Sequence, residues 1–151
     1  MQNVKKINWG ILGLGNIAHK FAEDLILVDD AKIISVASSS IDRAKIFSKK
    51  FKVKNSYDSY QKLINDKEID VIYIASINTL HMKWTIKSLE KGKAVLCEKP
   101  LAMNPVDVKK MIATSIKNNV FLMEALWSRF NPSISKVKEL IDNGSIGEVK
   151  Y

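Results

Sequence analysis

The sequence predicts an α/β fold in three layers, a doubly wound parallel sheet between helices. Three observations predict it. Short apolar runs of strand length recur along the chain. Segments with apolar residues at helical spacing alternate with them, the order expected of a parallel sheet. A glycine turn joins the first strand to the first helix. The 151 residues suit one domain, and 46% of them are hydrophobic, enough for a core.

The elements follow in order. Ile7 to Leu12 reads as a buried strand, and Gly13 to Asn16 as the glycine turn. Ile17 to Val28 carries Ile17, Phe21, Leu25 and Val28 on one helical face. Lys32 to Ala37 is a second strand, Ser38 to Ser40 a polar loop, and Ile41 to Lys50 a helix. Val53 to Tyr57 is a weak third strand. Asp58 and Gln61 resemble a capping box for a helix ending at Asn65. Val71 to Ala75 is the clearest strand, nearly all β-branched or aromatic. Asn78 or Thr79 can cap the next helix, which runs to Lys91 and closes on Gly92. Ala94 to Cys97 is a fifth strand. Asn104 and Pro105 suit the cap and first turn of a helix to Asn118. Val120 to Met123 is a sixth strand, Pro132 opens a helix ending near Gly144, and Glu148 to Tyr151 reads as the start of another strand.

Composition narrows the function. No apolar run approaches the length of about 18 residues that spans a bilayer. Met1 to Lys6 is short and polar, without an apolar signal segment, so the expected compartment is cytoplasmic. A single cysteine, Cys97, excludes an internal disulfide and a cysteine-based zinc site, and no metal site is expected. The net charge is +8, but the lysines are scattered, without an arginine cluster or interleaved aromatics. That argues for a solvated basic face rather than nucleic-acid binding, and suits an anionic ligand.

The residues Gly13-Leu14-Gly15-Asn16-Ile17-Ala18 fit the G-x-G-x-x-G/A dinucleotide fingerprint of a Rossmann-type domain. The first glycine permits the tight turn, and the second lets backbone approach a pyrophosphate. Ala18 lets the helix pack closely. Free N–H groups at the helix start, Asn16 and Ile17 among them, favour an anion by roughly 0.3–1 kcal/mol. At the end of the second strand, NAD-binding domains usually place an acid on the ribose 2′-hydroxyl. Here stand Ser38, Ser39 and Ser40, with Arg43 in reach of the adenosine end. Hydroxyls can donate to a 2′-phosphate, so the reading favours NADP, with NAD the alternative. Asp42 reads as a helix first-turn residue. Cys97-Glu98-Lys99-Pro100 stands at a strand's carboxyl end, where open α/β sheets bind ligands. Pro100 biases Lys99 toward an extended backbone. A Lys99 ammonium there could stabilise charge on a reacting carbonyl and assist proton transfer, with Glu98 orienting it.

With these motifs in hand, the chain resembles the glucose–fructose oxidoreductase and inositol dehydrogenase family over essentially its whole length. The resemblance rests on Trp9 to Ala18, on His81, on Glu98-Lys99-Pro100 and on Met123 to Pro132. The last stretch looks most like the dihydrodiol dehydrogenase branch, whose members use NADP. Ile77 stands where the family often has proline, and Ser39 where that branch often has arginine. The resemblance implies that Lys99 lies at the nicotinamide and the substrate and is the catalytic residue. It implies that Trp127 and Arg129 line the same cleft, and that Ser76 to Thr79, Asn78 included, pass under the nucleotide. Trp127 suits core packing equally well, and His81 is expected either to contact the nucleotide or to cap or fill. Cys97 reads as a small buried hydrophobe, and Met82, Ile86 and Leu89 as a core stripe.

The function expected is hydride transfer between NADP(H) and a hydroxyl or carbonyl carbon of a sugar-like or cyclic diol substrate. The alternative is a non-catalytic nucleotide-binding module. Residues 1–125 are expected to form the dinucleotide domain, and 126–151 the start of a second, α+β substrate domain. The acid–base partner is expected beyond residue 151, so these 151 residues should bind nucleotide without appreciable turnover. The helix from Ile134 to Asp142 should then leave Ile134, Val137, Leu140 and Ile141 partly exposed, or covered by a second copy in a homo-oligomer, a dimer.

Overall fold

The computed structural model describes residues 6–150. Six parallel strands form one sheet in the order β3-β2-β1-β4-β5-β6. They are β1 (Ile7–Leu12), β2 (Ala31–Ala37), β3 (Asn55–Tyr57), β4 (Val71–Ile74), β5 (Ala94–Glu98) and β6 (Leu122–Ala125). The helices are α1 (Asn16–Leu25), α2 (Ile41–Phe51), α3 (Tyr60–Ile64), α4 (His81–Glu90), α5 (Pro105–Asn118) and α6 (Pro132–Asp142).

Alternation along the strands divides the core between the two faces. Ile11, Ile33, Val36 and Tyr73 pack with Ala18, Ala22 and Leu25 of α1 and Ala44 and Phe47 of α2. Leu12, Ile34, Ile72, Ile74, Val95 and Cys97 pack with Leu63 of α3, Leu89 of α4 and Met111 of α5. The strand order reverses between β1 and β4, so the carboxyl ends of these two strands flank the topological switch point, where open α/β sheets place ligands.

Several expected boundaries shift, each for a local reason. Helix α1 stops at Leu25 rather than Val28. The amides of Leu27 and Val28 turn back to Asp24 and Leu25, and the Ala31 amide donates to Val28 to enter β2. Strand β3 starts at Asn55, not Val53. Lys52, left-handed at φ 54°, ends α2, and the Val53 amide closes onto Ser48 while its side chain joins the core. Ser59, not Asp58, caps α3 by accepting from the Gln61 amide at 3.2 Å, while Asp58 pairs with Lys62 at 2.8 Å. Neither Asn78 nor Thr79 caps α4 with its side chain, because Asn78–Leu80 forms a 3₁₀ turn first. Strand β6 starts at Leu122 because Val120 is spent closing α5. Its amide donates to Ser115 O, and its carbonyl accepts from the Ser115 hydroxyl. Asn104 and Pro105 open α5 as expected, with the Asn104 side chain accepting from the Asp107 amide.

After α6, residues 148–150 form no strand; Gly144 and Gly147, both at positive φ, make a turn instead. Tyr151 lies outside the described residues. On α6, Ile134, Val137 and Ile141 are exposed and Leu140 is partly buried. No helix is long and apolar enough to cross a membrane among the described residues.

Candidate functional site

Four connections meet at the carboxyl edge of the sheet. The first is the glycine turn. Gly13 lies at φ +88°, a conformation that favours glycine. A Cβ there would stand 2.7 Å from the backbone of Ala75 and Ser76, so the β1 turn packs directly against the end of β4. Gly15 differs. Its backbone is extended, and a Cβ would meet nothing within 4 Å. Gly15 caps α1 without a side chain, which leaves the first helical amides, those of Asn16 and Ile17, without an intrahelical partner. The open space in front of Gly15 and these amides together make a cradle that fits a pyrophosphate.

The second connection follows β2. Ser38 is buried, and its hydroxyl oxygen accepts from the Ser40 amide at 3.3 Å. Ser40 caps α2 through the Arg43 amide at 3.4 Å. Two of the three serines therefore build the turn, and only Ser39 is exposed, with the exposed Arg43 one turn away. Positions 38–41 at the end of β2 carry no carboxylate, and Asp42 sits in the first turn of α2.

The third connection follows β4. Ser76 is partly buried, and Ile77, Asn78 and Thr79 are exposed. His81 behind them is fully buried. Its Nε2 lies 3.0 Å from Ser76 O and its Nδ1 2.8 Å from Pro100 O. Both ring nitrogens are thus occupied by backbone oxygens, which corrects its expected place as a direct nucleotide contact.

The fourth connection follows β5. Lys99 is exposed, and the Lys99–Pro100 peptide is cis. Glu98 does not orient the Lys99 ammonium. Its carboxylate accepts instead from the Tyr73 hydroxyl at 2.5 Å and from the Lys99 backbone amide at 3.1 Å. Burial above all, and then the bond to Glu98, push the Tyr73 hydroxyl far above its ordinary range, so Tyr73 stays a donor. The Leu101 amide donates to Glu124 at 2.8 Å. Burial pushes the Cys97 thiol up to about 12, and this side chain belongs to the core as expected.

Beside this edge, on the α1 face of the sheet, lies a cavity of about 540 Å³. Ile17, Phe21, Tyr73, Leu96, Trp127 and Phe130 give it an apolar lining, and Glu98 borders it. It meets the glycine turn at Ile17 and the Lys99 turn at Glu98, but neither Gly15 nor Lys99 itself lines it. Trp127 is 68% exposed, which excludes core packing within the described residues, and Arg129 in the same 3₁₀ turn is exposed too. Tyr73, Glu124 and Phe21 are site neighbours that pattern reading missed. A tyrosine amid aliphatics in β4 and a lone carboxylate within β6 were the available signals.

The pattern of the oxidoreductase family with an NAD-binding Rossmann fold, GFO/IDH/MocA, matches residues 7–126. The chain belongs to that family. The matched part is that family's NAD-binding Rossmann fold, as the resemblance implied. Among curated relatives, trans-1,2-dihydrobenzene-1,2-diol dehydrogenase of Xenopus tropicalis is 40% identical over 145 residues, 95% of this chain. The Mus musculus enzyme of the same name is 37% identical over 146 residues. The chain spans 44% of the length of each. A crystallised 3-ketoreductase from Actinomadura kijaniata, in complex with TDP-benzene and NADP, superposes with a TM-score of 0.90 at 28% identity. The match covers 95% of this chain and 46% of that one. A probable dehydrogenase from Thermotoga maritima superposes at 0.88 with 33% identity, covering 93% of this chain and 42% of that one.

Proposed function

We propose that this chain binds NADP(H) along the carboxyl edge of the sheet and serves hydride transfer to or from a hydroxyl or carbonyl carbon of a sugar-like or cyclic diol. The observation that carries the nucleotide reading is the cradle at Gly15, where open space faces unpartnered helix amides. Gly13, Gly15, Asn16 and Ile17 hold the pyrophosphate. Ser39 and Arg43 hold the 2′-phosphate, with Ser38 and Ser40 shaping their turn. Ser76 and Asn78 pass under the nucleotide, and Glu98 and Lys99 meet its nicotinamide end. Bound NADPH supplies the hydride. The Lys99 ammonium stabilises negative charge on the substrate oxygen and can carry its proton. Trp127 and Arg129 wall the substrate. Residues 126–151 lead into a substrate domain that brings the acid–base partner, and the complete protein is a cytoplasmic homodimer.

The dihydrodiol dehydrogenase names of the relatives support a diol, and the NADP of the 3-ketoreductase complex supports the nucleotide. Calorimetric titration of the chain with NADPH and NADH tests the reading. Tighter binding of NADPH is expected. Equal or reversed affinity overturns the NADP preference, and binding of neither overturns the nucleotide site.

A further inference from the structure

The Lys99 turn is held from outside its own strand. Its Pro100 carbonyl lies 2.8 Å from Nδ1 of His81 at the start of α4, and its Leu101 amide donates to Glu124 of β6. Its Glu98 carboxylate is fixed by Tyr73 of β4. Among these ties His81 alone reaches a second loop, since its other nitrogen lies on Ser76 O at 3.0 Å. The ring has no exposure and is boxed between the connections after β4 and β5. The neutral ring carries one N–H, which donates to one of the two carbonyls, and an apolar replacement removes that donor together with the ring that spans the two loops.

We propose that His81 is a positioning residue. Its ring sets the gap between the Ser76 loop and the Lys99 turn, and so fixes where the nicotinamide end of the nucleotide meets the Lys99 ammonium. This rests on the nucleotide reading above. His81 itself touches no ligand. It acts through two carbonyls, one on each wall of the cleft, while Glu124 steadies one wall only.

Two probes separate positioning from general stability. NADPH spans the whole edge, whereas 2′-phospho-ADP-ribose lacks the nicotinamide. At a temperature where circular dichroism shows each variant folded, His81→Leu should weaken NADPH binding about tenfold. It should leave 2′-phospho-ADP-ribose within about twofold. His81→Gln, whose amide can donate to one carbonyl, should recover part of the loss. Glu124→Met, which frees one wall, should cost about threefold. Amide hydrogen exchange at Lys99 and Leu101 should quicken in all three. Equal losses for both probes would reduce His81 to a general structural residue. Unchanged NADPH affinity with unchanged exchange would overturn the proposal outright. Should His81→Leu fail to fold, His81→Gln and the exchange rates decide. A parent chain that binds neither probe would sink the nucleotide reading and the positioning role at the nicotinamide with it, while exchange would still report the anchoring of the turn.

Discussion

The turn after β1 and the turn after β5 end neighbouring parts of the same sheet edge, yet they are built by opposite means. The glycine turn is made of backbone. Gly13 takes a left-handed conformation, packs on the backbone of Ala75 and Ser76, and leaves Gly15 open in front of α1. The Lys99 turn is made of side chains that arrive from afar. Tyr73 is 25 positions from Glu98, Glu124 is 23 from Leu101, and His81 is 19 from Pro100. A site built from backbone has little tolerance for an added side chain. A site built from distant partners accepts many residues locally and fails when a partner is lost.

The largest effect is expected where that intolerance is greatest. Gly13→Val places a β-branched residue at φ +88° with its Cβ 2.7 Å from backbone atoms. It should destabilise the chain by more than about 3 kcal/mol, read as the shift in a urea unfolding curve. A stable, nucleotide-binding Gly13→Val chain would show that the turn can rebuild itself. Two residues on, Gly15→Val should behave differently. Its backbone suits any residue and its Cβ meets nothing. The lost glycine N-cap should cost no more than about 1 kcal/mol of stability, while NADPH affinity falls at least about a hundredfold, because the side chain fills the proposed place of the pyrophosphate. Retained binding would mean that the open space at Gly15 is not the cradle.

The other turn is tested through chemistry. On the proposed function, Lys99→Ala in a protein that carries the substrate domain should lower turnover by about a hundredfold or more. Nucleotide affinity should stay within about threefold, because the proposed role places the ammonium where charge develops on the reacting oxygen. Near-normal turnover would remove Lys99 from the mechanism.

These contrasts explain what pattern reading reaches. The strand β4, the fingerprint from Gly13 to Ala18 and the Asn104-Pro105 helix start are legible because each depends on residues adjacent in sequence. The choice between Asp58 and Ser59 as a cap is not, because a lysine one turn on competes for the aspartate. Nor is the division of labour among Ser38, Ser39 and Ser40, since the end of β2 points one hydroxyl inward and the next outward. His81 is illegible for a deeper reason. Its partners are the carbonyls of Ser76 and Pro100, atoms that every residue carries and no side-chain pattern marks.

The smallest effect separates the two turns by pH. Cys97 lies beneath the Lys99 turn, with its sulfur 3.9 Å from Leu101 O, and burial pushes its thiol from the ordinary 9.0 up to about 12. A folded-state value above the unfolded one means that the thiol's contribution is complete below pH 9 and is lost as pH rises from there through about 12. Tyr73 shifts in the same direction, from an ordinary value of 10.0. At pH 10 the unfolded chain ionises its cysteine while the folded chain does not, which should cost about 1 kcal/mol from Cys97. Urea unfolding at pH 8 and pH 10 measures it. Cys97→Ala removes the sulfur's packing at both pH values, so its midpoint lies lower throughout, but its decline between them should be shallower than the parent's by that amount. Gly13 to Asn16 carry no titratable side chain, so Gly15→Val should keep the parent's decline unchanged. Parallel declines in parent and Cys97→Ala would show that the thiol ionises in the folded chain as readily as in the unfolded one, and that the ground beneath the Lys99 turn is open to water.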